Sequence, residues 1–212
     1  MKKIILTLLA LVLTLSFILV SCGSVDDESA EGELTPSDEN TAPEDFEGDY
    51  TVELKIKDYG TITLELDSDT APITVENFVT LARDGFYDGL TFHRIIENFM
   101  IQGGDPEGTD FGGSDKEIEG EFSSNGYINN LKHTRGAISM ARSKAPNSAS
   151  SQFFIVHKDS PHLNGDYACF GYVTKGMNIV DKICADAEPT DNNGSIPKSA
   201  QPKIESVTVT EK

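Results

Sequence analysis

The chain has 212 residues, a formal charge of −18 and a sequence pI near 4.4. That length holds one domain of ordinary size with appendages. So acidic a chain is excluded as a nucleic-acid binder, because a phosphate backbone recruits Lys and Arg, and anionic lipid headgroups would repel it, so membrane contact cannot come from a basic face.

The N-terminus begins Met1-Lys2-Lys3 and continues as an uncharged apolar run over residues 4–20. A basic start followed by an apolar stretch has the form of a secretion leader, and the run is only marginally long for a bilayer span. Leu19-Val20-Ser21-Cys22 resembles the lipobox of bacterial lipoproteins. Residues 1–21 are therefore expected to be a signal peptide, with Cys22 becoming a lipid-modified N-terminus; an uncleaved anchor helix is the alternative. Either way the rest of the chain is expected outside the cytoplasmic membrane. Residues 23–49 contain no Lys or Arg and few large apolar residues. They cannot bury enough surface to offset their ordering entropy, so residues 22–49 read as a disordered acidic tether.

The remaining residues, 50–212, read as the folded domain. Val52, Leu54 and Ile56 alternate with polar neighbours, a turn signal follows at Asp58-Tyr59-Gly60, and residues 61–66 alternate again. This is the pattern of a half-buried hairpin. In residues 69–85 an early proline, the helical spacing of Val75, Phe78, Val79 and Ala82, and a final glycine predict a helix with defined ends. Short strands are predicted at 92–96 and 99–102, then Gly-, Asp- and Ser-rich solvated loops from Gly103 to Tyr127. Further strands are predicted at 136–141, 152–156 and 168–173, a helix at 176–184 and an alternating strand at 204–210. Many short strands with only two helices suggest a closed barrel or a sandwich. Cys169 and Cys184 read as small buried apolar residues, with a disulfide open as an alternative.

The run Phe92-His93-Arg94-Ile95-Ile96-Glu97-Asn98-Phe99-Met100-Ile101-Gln102-Gly103-Gly104-Asp105 sets one cation among large apolar side chains, and Ser151-Gln152-Phe153-Phe154-Ile155 adds an amide beside an aromatic pair. Together they have the make-up of an apolar pocket with a few convergent polar groups. These runs, with Leu131-Lys132-His133-Thr134, Ser139-Met140-Ala141 and Phe170-Gly171, resemble the signature of the cyclophilin peptidyl-prolyl isomerases. The resemblance implies a mainly β fold, a closed eight-stranded antiparallel barrel capped by two α-helices. It implies Arg94 as the catalytic residue. Phe99, Met100, Phe154 and Leu163 would be the proline pocket, Gln102 and Gln152 would order Arg94 and contact the peptide, and Ala141 and Arg142 would form a backbone contact segment. His162 and Tyr167 stand where the family usually has a tryptophan and a histidine, so cyclosporin sensitivity is expected to be weak.

Isomerising an X-Pro bond means losing amide resonance across a barrier of ~18–20 kcal/mol, with no bond made or broken. No nucleophile, metal or other cofactor is needed. The expected partners are proline-containing polypeptides, met by a monomer that touches the membrane only through the lipid on Cys22. A non-catalytic module that holds a proline segment of a surface partner is the second reading. His93, His133, His157 and His162 lack metal-ligand spacing, and Asp105, Asp110 and Asp115 do not have the spacing of an EF-hand loop.

Overall fold

The computed structural model describes residue 42 and residues 46–212. The expected leader at residues 1–21, the lipidation site Cys22 and most of the expected tether lie outside the described residues. The last residues before the first strand pack on the domain: Phe46 meets Tyr172 edge-on at 4.8 Å, and Asp49 donates its N–H to the Leu66 carbonyl at 2.8 Å.

Strands form where apolar residues alternate. In β1 (Tyr50–Ile56) and β2 (Gly60–Leu66), Val52 pairs with Leu64 and Leu54 with Ile62, and all four are fully buried. The later strands are β3 (Thr91–Ile96), β4 (Met100–Asp105), β5 (Ala137–Met140), β6 (Phe153–Val156), β7 (Cys169–Lys175) and β8 (Ile204–Glu211). They join one antiparallel sheet in the order β3-β4-β6-β5-β7-β2-β1-β8. Two helices, α1 (Pro72–Arg83) and α2 (Met177–Asp186), pack against it. Arg135 forks onto Asp181 of α2 with two bonds of 2.8 Å.

The expectation of a closed barrel is corrected. Strands β3 and β8 form no ladder, so the sheet is an open half-barrel. Across the gap there is one isolated bridge, Thr91 to Lys203. The Phe92 N–H reaches the Pro202 carbonyl at 2.9 Å, but Pro202 has no N–H to return. Farther along β3 the partner is a connecting segment: Ile95 donates to the Gly194 carbonyl and Ile196 to the His93 carbonyl. The edge of β3 is thus covered by loop backbone.

The sheet buries side chains on both faces. Ile101, Phe153 and Ile155 join the main core with Val75, Phe78 and Val79 of α1 and Val180 and Ile183 of α2. A second cluster on the opposite face holds Met100, Phe154, Val156, Leu163 and Tyr172. Because successive strand residues point to opposite faces, the neighbours Phe153 and Phe154 serve different clusters. The β3–β4 ladder shifts register twice, at Thr91/Phe92 and again at Phe92/Arg94, and the second shift sets the site. Phe92 pairs with Gly103 and Arg94 with Gln102, so two steps on β3 match one on β4. His93 is the extra residue of a bulge. Without it, Phe92 and Arg94 would share a face; with it, Phe92 stays in the core and Arg94 turns to the second face.

The glycines after Gln102, read from the sequence as the end of the strand, continue β4 to Asp105. At Gly104, φ is 84°, and a Cβ there would lie 2.4 Å from the Ser151 carbonyl oxygen. Only glycine allows that approach.

Candidate active site

The bulge and the strand register assemble the site. Arg94 pairs with Gln102, Gln102 with Phe154, and Phe154 with Ser139, in one row across β3, β4, β6 and β5. Met100 and Gln152 precede Gln102 and Phe154 by two residues and share their face. A cavity of about 610 Å³ lies over this row.

Its apolar part is fixed from behind. Met100, Phe154 and Leu163 are at most 7% exposed. His133 stacks on Phe154 with ring centroids 6.0 Å apart at 19°, and its two nitrogens contact Asn164 Oδ1 and Ser139 Oγ, each at 3.0 Å. Phe99 completes the apolar wall. Tyr167 meets the edge of Phe154 at 5.9 Å.

Arg94 is one of two arginines that line the groove. Its Nε donates to the Asn193 carbonyl at 2.7 Å, and its Nη1 donates to Gln102 Oε1 at 3.0 Å and lies 3.9 Å from the Met100 sulfur. These partners are neutral; among the described residues no carboxylate pairs with the guanidinium and no hydrogen bond uses Nη2. Donors therefore remain for a carbonyl in the groove. Gln102 Nε2 donates to Asp110 Oδ1 at 2.7 Å and to Gln152 Oε1 at 2.8 Å, and Gln152 Nε2 donates to the Gly112 carbonyl at 2.7 Å.

Of the residues expected from the sequence, Arg94, Phe99, Met100, Gln102, Ala141, Arg142, Gln152, Phe154, Leu163 and Tyr167 line the cavity. His162 does not; it is exposed and lies beside Phe99, with ring centroids 5.6 Å apart. Arg142 lines the wall with its guanidinium already engaged. Nε and Nη2 donate to the Asp166 carbonyl, Nη1 donates to the Ser143 carbonyl, and the group lies over the Phe122 and Tyr167 rings at 4.9 and 4.6 Å. It braces Tyr167.

The loop after β4 supplies residues that the sequence reading passed over as solvated. Asp105 is 1% exposed and accepts the backbone N–H groups of Glu107, Thr109 and Asp110 at 2.7–2.8 Å. Burial alone would raise its carboxyl pKa; the surrounding backbone N–H groups outweigh that and hold it below the usual value. The loop so folded brings Asp110, Phe111 and Gly112 to the groove. Phe111 is 92% exposed, and the one signal that could have marked it is a large aromatic among Gly, Asp and Ser.

Cys169 and Cys184 are free thiols, which settles the open question of a disulfide, and burial pushes each pKa up to about 12. Neither is a nucleophile at neutral pH. His93 and His133 are held below the ordinary histidine value of 6.5, in both cases chiefly by burial; contacts to Asp110 and to Asn164, respectively, oppose the shift. The unfolded chain therefore binds these protons first. Stability rises with pH wherever the unfolded state carries more protons, so it falls as pH drops below about 6.5 toward the lower folded values. Thermal melting should move to lower temperature through that range, and less so in His133→Gln. A melting temperature that does not change from neutrality through the histidine range would contradict this account.

Residues 51–209 match the profile of the family described as cyclophilin type peptidyl-prolyl cis-trans isomerase/CLD. The chain is 45% identical over 128 residues to peptidyl-prolyl cis-trans isomerase B of Bacillus subtilis, covering 60% of this chain and 86% of that protein. It is 50% identical over 125 residues to peptidyl-prolyl cis-trans isomerase-like 1 of Neurospora crassa, covering 58% of this chain and 75% of that protein. Its fold is similar to the crystal structure of a Cryptosporidium parvum cyclophilin type peptidyl-prolyl cis-trans isomerase in the presence of the dipeptide Ala-Pro. That match has a TM-score of 0.67 and 32% identity, and covers 76% of this chain and 99% of the other.

Proposed function

The chain belongs to the cyclophilin-type peptidyl-prolyl cis-trans isomerases, and on that premise we propose that Arg94 and the apolar socket beside it catalyse rotation of X-Pro bonds in exported polypeptides. It is an isomerase by family, as its relatives are named. The observation that carries the residue assignment is the row Arg94, Gln102, Phe154. It sets a permanently charged donor beside a buried apolar floor, with an amide between them.

The socket of Phe99, Met100, Phe154 and Leu163 grips the proline ring. Rotation leaves the imide nitrogen pyramidal and the carbonyl without resonance. Donors on Arg94 that bind this twisted amide more strongly than the planar one lower the barrier. Gln102 holds the guanidinium in place. Proline-containing polypeptides are the partners, and no step calls for a metal or cofactor. The test is a proline-isomer-coupled peptide assay on the full chain. Acceleration proportional to protein concentration is expected, and folded protein that leaves the spontaneous rate unaltered would sink the assignment.

The setting proposed for this activity is the outer face of a bacterial membrane, where the enzyme assists folding of emerging proteins as a monomer. The support is in the sequence: the apolar leader, Leu19-Val20-Ser21-Cys22 and the acidic stretch after it. Among the described residues no helix is long and apolar enough to cross a membrane. Stable anchoring by acyl groups needs more than one chain, at about 0.8 kcal/mol per buried methylene. In cells fed labelled palmitate, Cys22→Ala should lose the label and accumulate as precursor. Unaltered label and size would refute the lipid anchor.

A further inference from the structure

Arg94 can only donate hydrogen bonds, so Gln102 must offer it the amide oxygen. An amide reads equally well either way round until its neighbours decide. Here the sense is fixed from the far side. Gln102 Nε2 donates to Gln152 Oε1 at 2.8 Å and to Asp110 Oδ1 at 2.7 Å. Gln152 is itself an amide that could turn. An ionised carboxylate accepts only, and a bond to it is roughly twice as strong as a neutral one. Turned round, Gln102 would set N–H groups against Arg94 and an oxygen against the Asp110 carboxylate.

Three further observations single out Asp110. Its φ is 78°, in the left-handed region that glycine occupies with less strain. Its backbone N–H is held by Asp105 Oδ2 at 2.8 Å, and that carboxylate also accepts the Glu107 and Thr109 N–H groups. A strained residue persists where its surroundings over-determine it, and such residues gather at functional sites. Finally, His93, the bulge residue beside Arg94, reaches the same Oδ1 through Nε2 at 3.3 Å. Among the described residues buried His93 has no partner at Nδ1, as expected if the single proton of the neutral ring sits on Nε2 and donates to Asp110.

Resting on the isomerase reading above, we propose that Asp110 is a positioning residue for Arg94. Its carboxylate locks the Gln102 amide with the oxygen toward the guanidinium, and so holds the donor at the height where the twisted amide forms. Asp110 touches no substrate in this role. His93 supports the carboxylate from the strand that bears Arg94.

Asp110→Asn tests this in the full chain, because asparagine keeps the shape but can donate as well as accept. Loss of a charge-assisted bond predicts a fall in kcat of roughly tenfold, with KM within about twofold of wild type. Asp110→Gly, freed of left-handed strain, should fold and show the same kcat loss, which separates positioning from misfolding. The side-chain amide resonances of Gln102 and the Nε–H of Arg94 should shift in both variants. Wild-type kcat with unshifted resonances, or a loss confined to KM, would overturn the proposal. If wild type itself fails to accelerate the peptide, the isomerase reading falls, and the Gln102 and Arg94 resonances still decide whether Asp110 orders them.

Discussion

Arg94→Ala is expected to lower kcat/KM for a proline peptide by about 10²–10³-fold, the scale seen when one preorganised donor to a developing charge is removed. The guanidinium is half-buried and fixed at two points, by Asn193 through Nε and by Gln102 through Nη1. Alanine removes the donor to the twisted amide and leaves the Gln102 oxygen facing space. The fold should be spared, since the Asn193 bond is solvent-exposed and exposed contacts change stability by only about 0.5 kcal/mol. Lysine should not rescue. It is a compact charge on a flexible stem and cannot make both bonds while still presenting a donor. Arg94→Lys is therefore expected to lie closer to alanine than to wild type in a steady-state assay. Near-wild-type turnover in either variant would remove Arg94 from the mechanism.

The second large effect is on stability and lies at the start of α1. A helix begins with N–H groups that need acceptors, and a capping side chain just before the first turn usually supplies one. Here that position is Ala71, which has no capping side chain, and the next residue is Pro72. The acceptor comes from Glu121, 47 residues beyond Thr74 in the chain. Its carboxylate takes the Ile73 N–H at 3.0 Å, the Thr74 N–H at 2.7 Å and the Thr74 hydroxyl at 2.6 Å. The residue is 1% exposed, so water does not compete, and the negative charge faces the positive end of the helix. Glu121→Ala would leave two buried donors and one half-buried donor unpaired, at a cost of about 3–5 kcal/mol. For a domain of this size that is a melting shift of roughly 10 °C. Glu121→Gln keeps an acceptor and should lose less. Urea unfolding of the two variants gives the comparison; a loss below about 1 kcal/mol for alanine would show that the helix start is satisfied without Glu121.

Glu121 also illustrates what was legible in the sequence and what was not. The hairpin of β1 and β2, both helices and the last strand were legible because each repeats a local period: Val52, Leu54 and Ile56 at two, and Val75, Phe78, Val79 and Ala82 at helical spacing. Arg94, Met100, Gln102, Gln152, Phe154 and Leu163 were legible as a pocket because their runs resemble one family. Contacts set by tertiary packing were not. Nothing near Ala71 announces that Glu121 caps it. The bulge at His93 cannot be read from a run of mixed apolar and basic residues, yet it decides which way Arg94 points. The break between β3 and β8 depends on where Pro202 arrives, a non-local matter. Arg142 and His162 were placed by motif position alone. Packing then turned Arg142 into a brace for Tyr167 and left His162 off the cavity wall. Asp110 was hidden because its loop was judged by composition, while Asp105 gives that loop a buried hub.

Exchange spectroscopy on a proline peptide at equilibrium is the most direct measurement of the central claim, that Arg94 over an apolar socket speeds X-Pro rotation. Unaided, the isomers exchange over tens of seconds or longer. With a small fraction of full-length protein, cis and trans signals should show exchange cross-peaks that vanish in Arg94→Ala. Saturable shifts of the peptide signals with no exchange between isomers would contradict the account, and would make this groove a site that holds proline segments without turning them.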